Sequence, residues 1–166
     1  MKSVKIAIVG TGRVARSNYI PYLARQKHVA LRYYSRTRNT ADACAKEHGG
    51  TVARSLEELV ADNPDVVLVL THETQRLDVA TALVALRPKR LFFEKPLVAR
   101  HGQGAVCEQD FLDARALLAS ARDAGIETAM MFNYRFFELS RRVRQTVADR
   151  AFGKLLQASF FANYAC

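Results

Sequence analysis

Hydrophobic residues in this chain fall into short blocks, each followed by a longer stretch where they recur at helical spacing. The first block is Val4, Ile6, Ala7, Ile8 and Val9, and it stops at Gly10. Val29–Tyr34 is a second block and Thr51–Ala53 a brief third. Asp65–Leu70 runs Val-Val-Leu-Val-Leu after its acid, with no polar alternation, and Arg90–Phe93 and Glu127–Phe132 complete the series. A strand without alternation is buried on both faces, as in a parallel sheet covered by helices.

The intervening segments predict helices over Arg13–Gln26, Thr40–His48, the stretch between Ser55 and Asn63-Pro64, Leu77–Leu86 and Phe111–Ala124. Gly49-Gly50 closes the second of these, Ser55-x-x-Glu58 is a capping box for the third, and Gly125 stops the last. In the first helix Val14, Ile20 and Leu23 are expected to face inward. Pro21 should kink it, because proline lacks an N–H and its ring clashes with the preceding turn. Thr71–Thr74 and the polar stretch His101–Asp110 read as loops. Such alternation specifies an α/β class, a doubly wound parallel sheet with right-handed crossovers.

The pattern changes at Asn133. Leu139, Val143 and Val147 are four residues apart and predict a helix over Leu139–Arg150, ended by Gly153. Leu156, Ala158, Phe160, Ala162 and Tyr164 then alternate with Gln157, Ser159 and Asn163, the period of a strand with one buried face. A lone strand bearing Phe160, Phe161 and Tyr164 cannot bury itself. Residues 1–132 therefore read as one domain. Residues 133–166 read as the first helix and strand of an incomplete α+β second domain.

The chain has 166 residues and 49% apolar content, enough for one full core and part of another. Its apolar runs fall short of the ~18 residues of a membrane span, and Ile6–Val9 is too short for a signal peptide. Cys44, Cys107 and Cys166 are odd in number and show no C-x-x-C spacing, against a disulfide framework. His28, His48, His72 and His101 are scattered, so no metal site is expected. The expected location is cytoplasmic, with no membrane partner.

The formal net charge is +9, and residues 1–41 hold nine Lys or Arg without an Asp or Glu. Lys2, Lys5, Arg13, Arg16, Arg25, Lys27, Arg32, Arg36 and Arg38 thus place the whole excess around Gly10. No aromatic stacking motif accompanies them, so a phosphorylated cofactor accounts for the charge better than nucleic acid does.

Gly10-x-Gly12-x-x-Ala15 has the spacing of a dinucleotide-binding turn. Gly10 permits a tight turn, Gly12 lets the backbone approach a pyrophosphate, and Ala15 lets the helix pack on the strand. The helix N-terminus then attracts phosphate. At the end of the second strand, Ser35-Arg36-Thr37-Arg38 stands where an NAD site usually presents an acid. Ser35 and Arg36 suit a 2′-phosphate, favouring NADP over NAD; a solvated loop is the competing reading. His72 follows the fourth strand and reads either as a contact to substrate or cofactor or as a surface residue. Lys95, after the fifth strand, could stabilise an alkoxide as hydride leaves, and partial burial would lower its pKa. Its alternative is simple pairing with Glu94.

The glycine turn, the buried strand ending at Thr71, Glu94-Lys95-Pro96 and Asn133-Tyr134-Arg135-Phe136 together resemble the Gfo/Idh/MocA oxidoreductases. The resemblance covers nearly the whole chain and implies an N-terminal Rossmann domain followed by an open β-sheet domain. It implies hydride transfer between a nicotinamide cofactor and a sugar, polyol or related carbonyl substrate. On this likeness Lys95 is the catalytic lysine, the Lys95–Pro96 peptide is cis, and Arg135 helps hold the active-site loop near the domain junction. The expected cofactor contacts are Gly10, Thr11, Gly12, Arg13, Val14, Ser35, Arg36, Arg38, Thr71, His72, Glu94 and Lys95.

His72-Glu73 stands where the family commonly has Pro-Asn, Pro88 where a Gly is common, and the 101–110 loop is longer than usual. Relatives complete the catalytic group with an Asp and a His of the second domain and dimerise through its sheet. The 166-residue chain alone is thus expected to be incomplete for turnover, and its oligomeric state is open. The alternative function is a non-catalytic dinucleotide sensor or assembly module.

Overall fold

The computed structural model describes residues 3–149 and Gly153, the side chains of residues 133 and 134 excepted. Six strands alternate with helices: β1 (Val4–Val9), α1 (Ile20–Ala24), β2 (Val29–Tyr34), α2 (Arg38–His48), β3 (Thr51–Val52), α3 (Leu56–Ala61) and β4 (Val66–Val69). There follow α4 (Glu73–Ala85), β5 (Arg90–Phe93), α5 (Glu108–Asp123) and β6 (Glu127–Met130). The strands form one sheet in the order β3-β2-β1-β4-β5-β6, every neighbouring pair parallel. Chain direction away from β1 reverses between β1 and β4, which makes that junction the switch point where ligands of open α/β sheets collect.

Two apolar layers explain the order. Ala7, Val9, Val67, Val69, Leu91 and Phe93 meet Ala80 and Leu83 of α4 and Leu117 and Ala121 of α5 on one face. Ile6, Ile8, Leu31, Tyr33, Leu68 and Leu70 meet Ala15, Ile20, Ala41 and Cys44 on the other. Consecutive residues of β1 and β4 therefore enter opposite cores, as their unbroken apolar runs require.

Several local expectations change. Ala15–Tyr19 is π-helical, and the Ile20 N–H reaches back to the Ala15 carbonyl. Pro21 follows at once, so the widened turn relieves the clash its ring would make with the carbonyl four residues earlier. Val14 is exposed rather than inward; Ala15 and Ile20 fill the core. Thr71–Thr74 is not all loop, because His72 caps α4 and the helix begins at Glu73. The 101–110 loop is likewise shorter, since α5 begins at Glu108. Ser55 does cap α3, its hydroxyl accepting from the Glu58 N–H at 3.2 Å.

The first compact unit ends at Met131 and a second begins at Phe132. In the second, Asn133–Phe136 is a 3-10 turn containing Arg135, and α6 (Glu138–Asp149) follows. The strand expected over Leu156–Tyr164 lies outside the described residues.

Candidate functional site

β1 delivers Gly10 to the switch point with φ +93°, a conformation that favours glycine. A Cβ there would also stand 2.7 Å from the Thr71 backbone nitrogen. Gly12 differs: its φ is ordinary and a Cβ would meet no protein atom within 4 Å. Nothing in the protein itself demands glycine at position 12, so the open space over its backbone is room for a ligand. The helical ladder starts here, with the Arg16 N–H donating to the Gly12 carbonyl at 3.0 Å.

A cleft of about 390 Å³ opens over this turn. Seven expected contacts line it: Gly10, Thr11 and Gly12 from the turn, Ser35 and Arg36 from the end of β2, and Thr71 and His72 from the end of β4. Gln75 and Asp78 of α4 form part of the far wall. With the Gln75 amide oxygen turned toward Arg36, the guanidinium donates to it at 3.0 and 3.3 Å. The buried Thr71 hydroxyl has no partner among the described residues.

The other five expected residues lie outside this cleft. Arg13 lines a neighbouring depression beyond Gly12, with Arg16, Ser17 and Thr40. Val14 is exposed on the following turn. Arg38 pairs with Asp42 at 3.5 Å. Glu94 and Lys95 follow β5 at the same edge of the sheet. The Thr11 side chain also departs from expectation. It is 1% exposed and turned inward, its hydroxyl 2.7 Å from that of Thr40.

The charge pattern needs a second correction. Lys5 lies at the opposite end of β1 and pairs with Asp62, and Arg32 pairs with Glu58 and Asp62. The basic excess of residues 1–41 is thus partly neutralised, and only part of it borders the glycine turn.

Two residues at the β5 exit were not anticipated. Arg76 of α4 is 2% exposed and donates to the backbone carbonyls of Thr71, Glu94 and Pro96. It clamps both sides of Lys95 to the end of β4. Burial pulls its guanidinium below the ordinary value, opposed by the nearby Glu94, Glu73 and Tyr19 groups. Arg76, Ala80 and Leu83 share one helical stripe, so a charged residue at a core position was the available signal. Tyr19 donates to the Glu94 carboxylate, and burial followed by that bond pushes its phenol well above the usual range.

Tyr19 therefore occupies the carboxylate that Lys95 might have paired with. Among the described residues Lys95 makes no ion pair, and it is exposed rather than partly buried as expected. The Lys95–Pro96 peptide is cis. His72 caps α4, its Nδ1 2.9 Å from the Thr74 hydroxyl, and its Nε2 lies 3.7 Å from the Glu73 carboxylate. Among the described residues no cluster of His, Cys, Asp or Glu could hold a metal, and no helix is long and apolar enough to cross a membrane.

A parallel sheet in this strand order, with a glycine turn at its switch point, defines a nucleotide-binding Rossmann protein. Residues 4–126 match the oxidoreductase family with an NAD-binding Rossmann fold, and the chain belongs to this Gfo/Idh/MocA family. It is 28% identical over 156 residues to a 1,5-anhydro-D-fructose reductase of Ensifer adhaerens, covering 93% of this chain and 44% of that protein. The chain thus spans less than half the length of this curated relative.

Solved structures share its fold. A protein of gentamicin A biosynthesis in complex with NAD superposes with a TM-score of 0.72 at 24% identity, covering 90% of this chain and 40% of that one. A 3-ketoreductase from Actinomadura kijaniata in complex with NADP gives 0.70 at 19% identity, covering 92% and 46%.

Proposed function

We propose that this chain is the cofactor-binding part of an NADP-dependent oxidoreductase acting on a sugar, polyol or related carbonyl compound. The observation that carries the reading is one cleft lined by both the Gly10-Thr11-Gly12 turn and Ser35-Arg36. The open face of Gly12 and the unpartnered Thr71 hydroxyl fit a dinucleotide there. Gly12 backbone, with Arg13 beside it, would hold the pyrophosphate; Ser35 and Arg36 would hold a 2′-phosphate.

When bound, the nicotinamide supplies the hydride acceptor or donor. Lys95 donates a hydrogen bond to the substrate oxygen and balances negative charge that develops there. Tyr19 keeps Glu94 from neutralising that ammonium, and Arg76 fixes the turn that carries it. Residues 1–132 form the cofactor domain and 133–166 begin the substrate and dimerisation domain, in a protein of the cytoplasm.

Fluorescence titration tests the cofactor claim. NADPH should bind below millimolar concentration, and absence of binding there ends the reading. Arg36→Ala should weaken NADPH by about 10-fold or more, the loss expected for a charge-assisted contact, with a much smaller change for NADH. Equal losses would refute the 2′-phosphate role.

A further inference from the structure

The hydroxyl of Thr40 sits at the centre of a small polar network that no cofactor contact explains. Thr40 is in the first turn of α2. Its Oγ1 lies 2.7 Å from Thr11 Oγ1, 2.7 Å from the Thr37 carbonyl and 3.1 Å from Ser35 Oγ. These contacts join the glycine turn after β1 to the turn after β2, two segments separated by 29 positions at the Thr11–Thr40 contact.

Proton counting gives the network a direction. A hydroxyl has one proton to donate, and the Thr37 carbonyl can only accept. The Thr40 proton is shared between Thr37 and Ser35, so Thr11 must donate to Thr40. Ser35 then accepts from Thr40 and keeps its own proton for a group in the cleft that it lines. A phosphate dianion offers only acceptors, whereas a ribose hydroxyl is both donor and acceptor. A serine held as a donor therefore favours the phosphate. At the α2 N-terminus the Thr37 carbonyl also accepts the Thr40 N–H at 3.0 Å, and no side chain caps the first turn.

We propose that Thr40 is a specificity-determining positioning residue: through Ser35 it biases the cleft toward a cofactor bearing a 2′-phosphate, and through Thr11 it ties that bias to the pyrophosphate turn. The inference rests on the NADP reading above.

NADPH and NADH titrations of the full chain test it. In Thr40→Val, NADPH affinity should fall about 10-fold, the upper range for a single neutral hydrogen bond, while NADH changes less than about 2-fold. Thr40→Ser should restore the preference, and Thr40→Val should add nothing in a Ser35→Ala background. A merely structural role would weaken both cofactors alike and would not depend on Ser35. If Thr40→Val does not fold by circular dichroism, Thr40→Cys replaces it, with the same loss of preference expected. If wild type prefers NADPH and Thr40→Val and Thr40→Cys keep that preference, this inference alone is overturned. If wild type shows no preference, the NADP reading falls and this inference falls with it.

Discussion

At the amino ends of the strands Lys5 pairs with Asp62 at 3.4 Å, and Arg90 of β5 pairs with Glu127 of β6 at 3.0 Å. At the carboxyl ends, among the described residues, Arg36 and Lys95 make no ion pair, the Thr71 hydroxyl has no partner and Gly12 faces open space. Both sets belong to one sheet with one core. At the amino edge Lys5 and Arg90 are neutralised by carboxylates of the protein, while at the carboxyl edge Arg36 and Lys95 are exposed cations with no such partner among the described residues. Where groups are left unsatisfied on an otherwise well-packed scaffold, the scaffold is positioning them for something else.

The sharpest way to break this comparison lies in the two glycines of the turn. Gly10→Ala puts a side chain at positive φ and against the Thr71 backbone, so a loss of about 3 kcal/mol or more is expected from thermal denaturation. Gly12→Ala should leave stability within about 0.5 kcal/mol, yet weaken dinucleotide binding at least 10-fold. If Gly12→Ala binds NADPH normally, the carboxyl edge is not completed by a dinucleotide.

Arg76→Ala comes next. It strips donors from three backbone carbonyls at the site, and a destabilisation of about 2 kcal/mol is expected in urea. The Arg76→Lys variant should recover only part, because one ammonium cannot copy the planar fork.

A smaller and pH-dependent effect belongs to Asp110. Its carboxylate accepts from the Arg100 and Cys107 N–H groups at 2.9 and 3.1 Å, and these bonds hold it below the usual carboxylate range. A depressed folded pKa stabilises the protein above the unfolded value of about 4, and the contribution disappears as pH falls through the lower folded value. Asp110→Asn should therefore lower Tm at neutral pH and flatten the acid side of the Tm profile. An unchanged profile would remove Asp110 from the forces holding the segment after β5.

The smallest effect is expected at the other edge. Arg90→Ala breaks an exposed pair and should cost less than about 1 kcal/mol, with cofactor titrations unchanged. A cofactor effect there would mean the two edges are not independent.

Apolar periodicity located β2 and β5 to the residue and placed the glycine turn between β1 and α1. Helix starts were less legible. His72 caps α4 through an imidazole nitrogen, and an Asp110 carboxylate receives N–H groups ahead of α5; neither follows the usual Ser, Thr or Asn signal. The response to Pro21 was expected as a kink, whereas the backbone widened one turn earlier. Charge was the least legible feature. Lys5 and Asp62 stand 57 positions apart, so counting residues 1–41 in isolation overstated the basic character around the turn.

By itself the sequence determined which segments of residues 4–130 are strands, that their sheet is parallel and buried on both faces, and that the first strand runs into the Gly10–Gly12 turn. Those follow from local backbone chemistry and from the two-residue and 3.6-residue periods of burial. Tertiary structure alone decided that Thr11 turns toward Thr40, that Arg76 grips the carbonyls around Lys95, and that Tyr19 occupies Glu94. Each of these contacts joins groups brought together by a crossover or a turn, and hydrogen bonding is too short-ranged to be read from positions along a chain before the chain has folded.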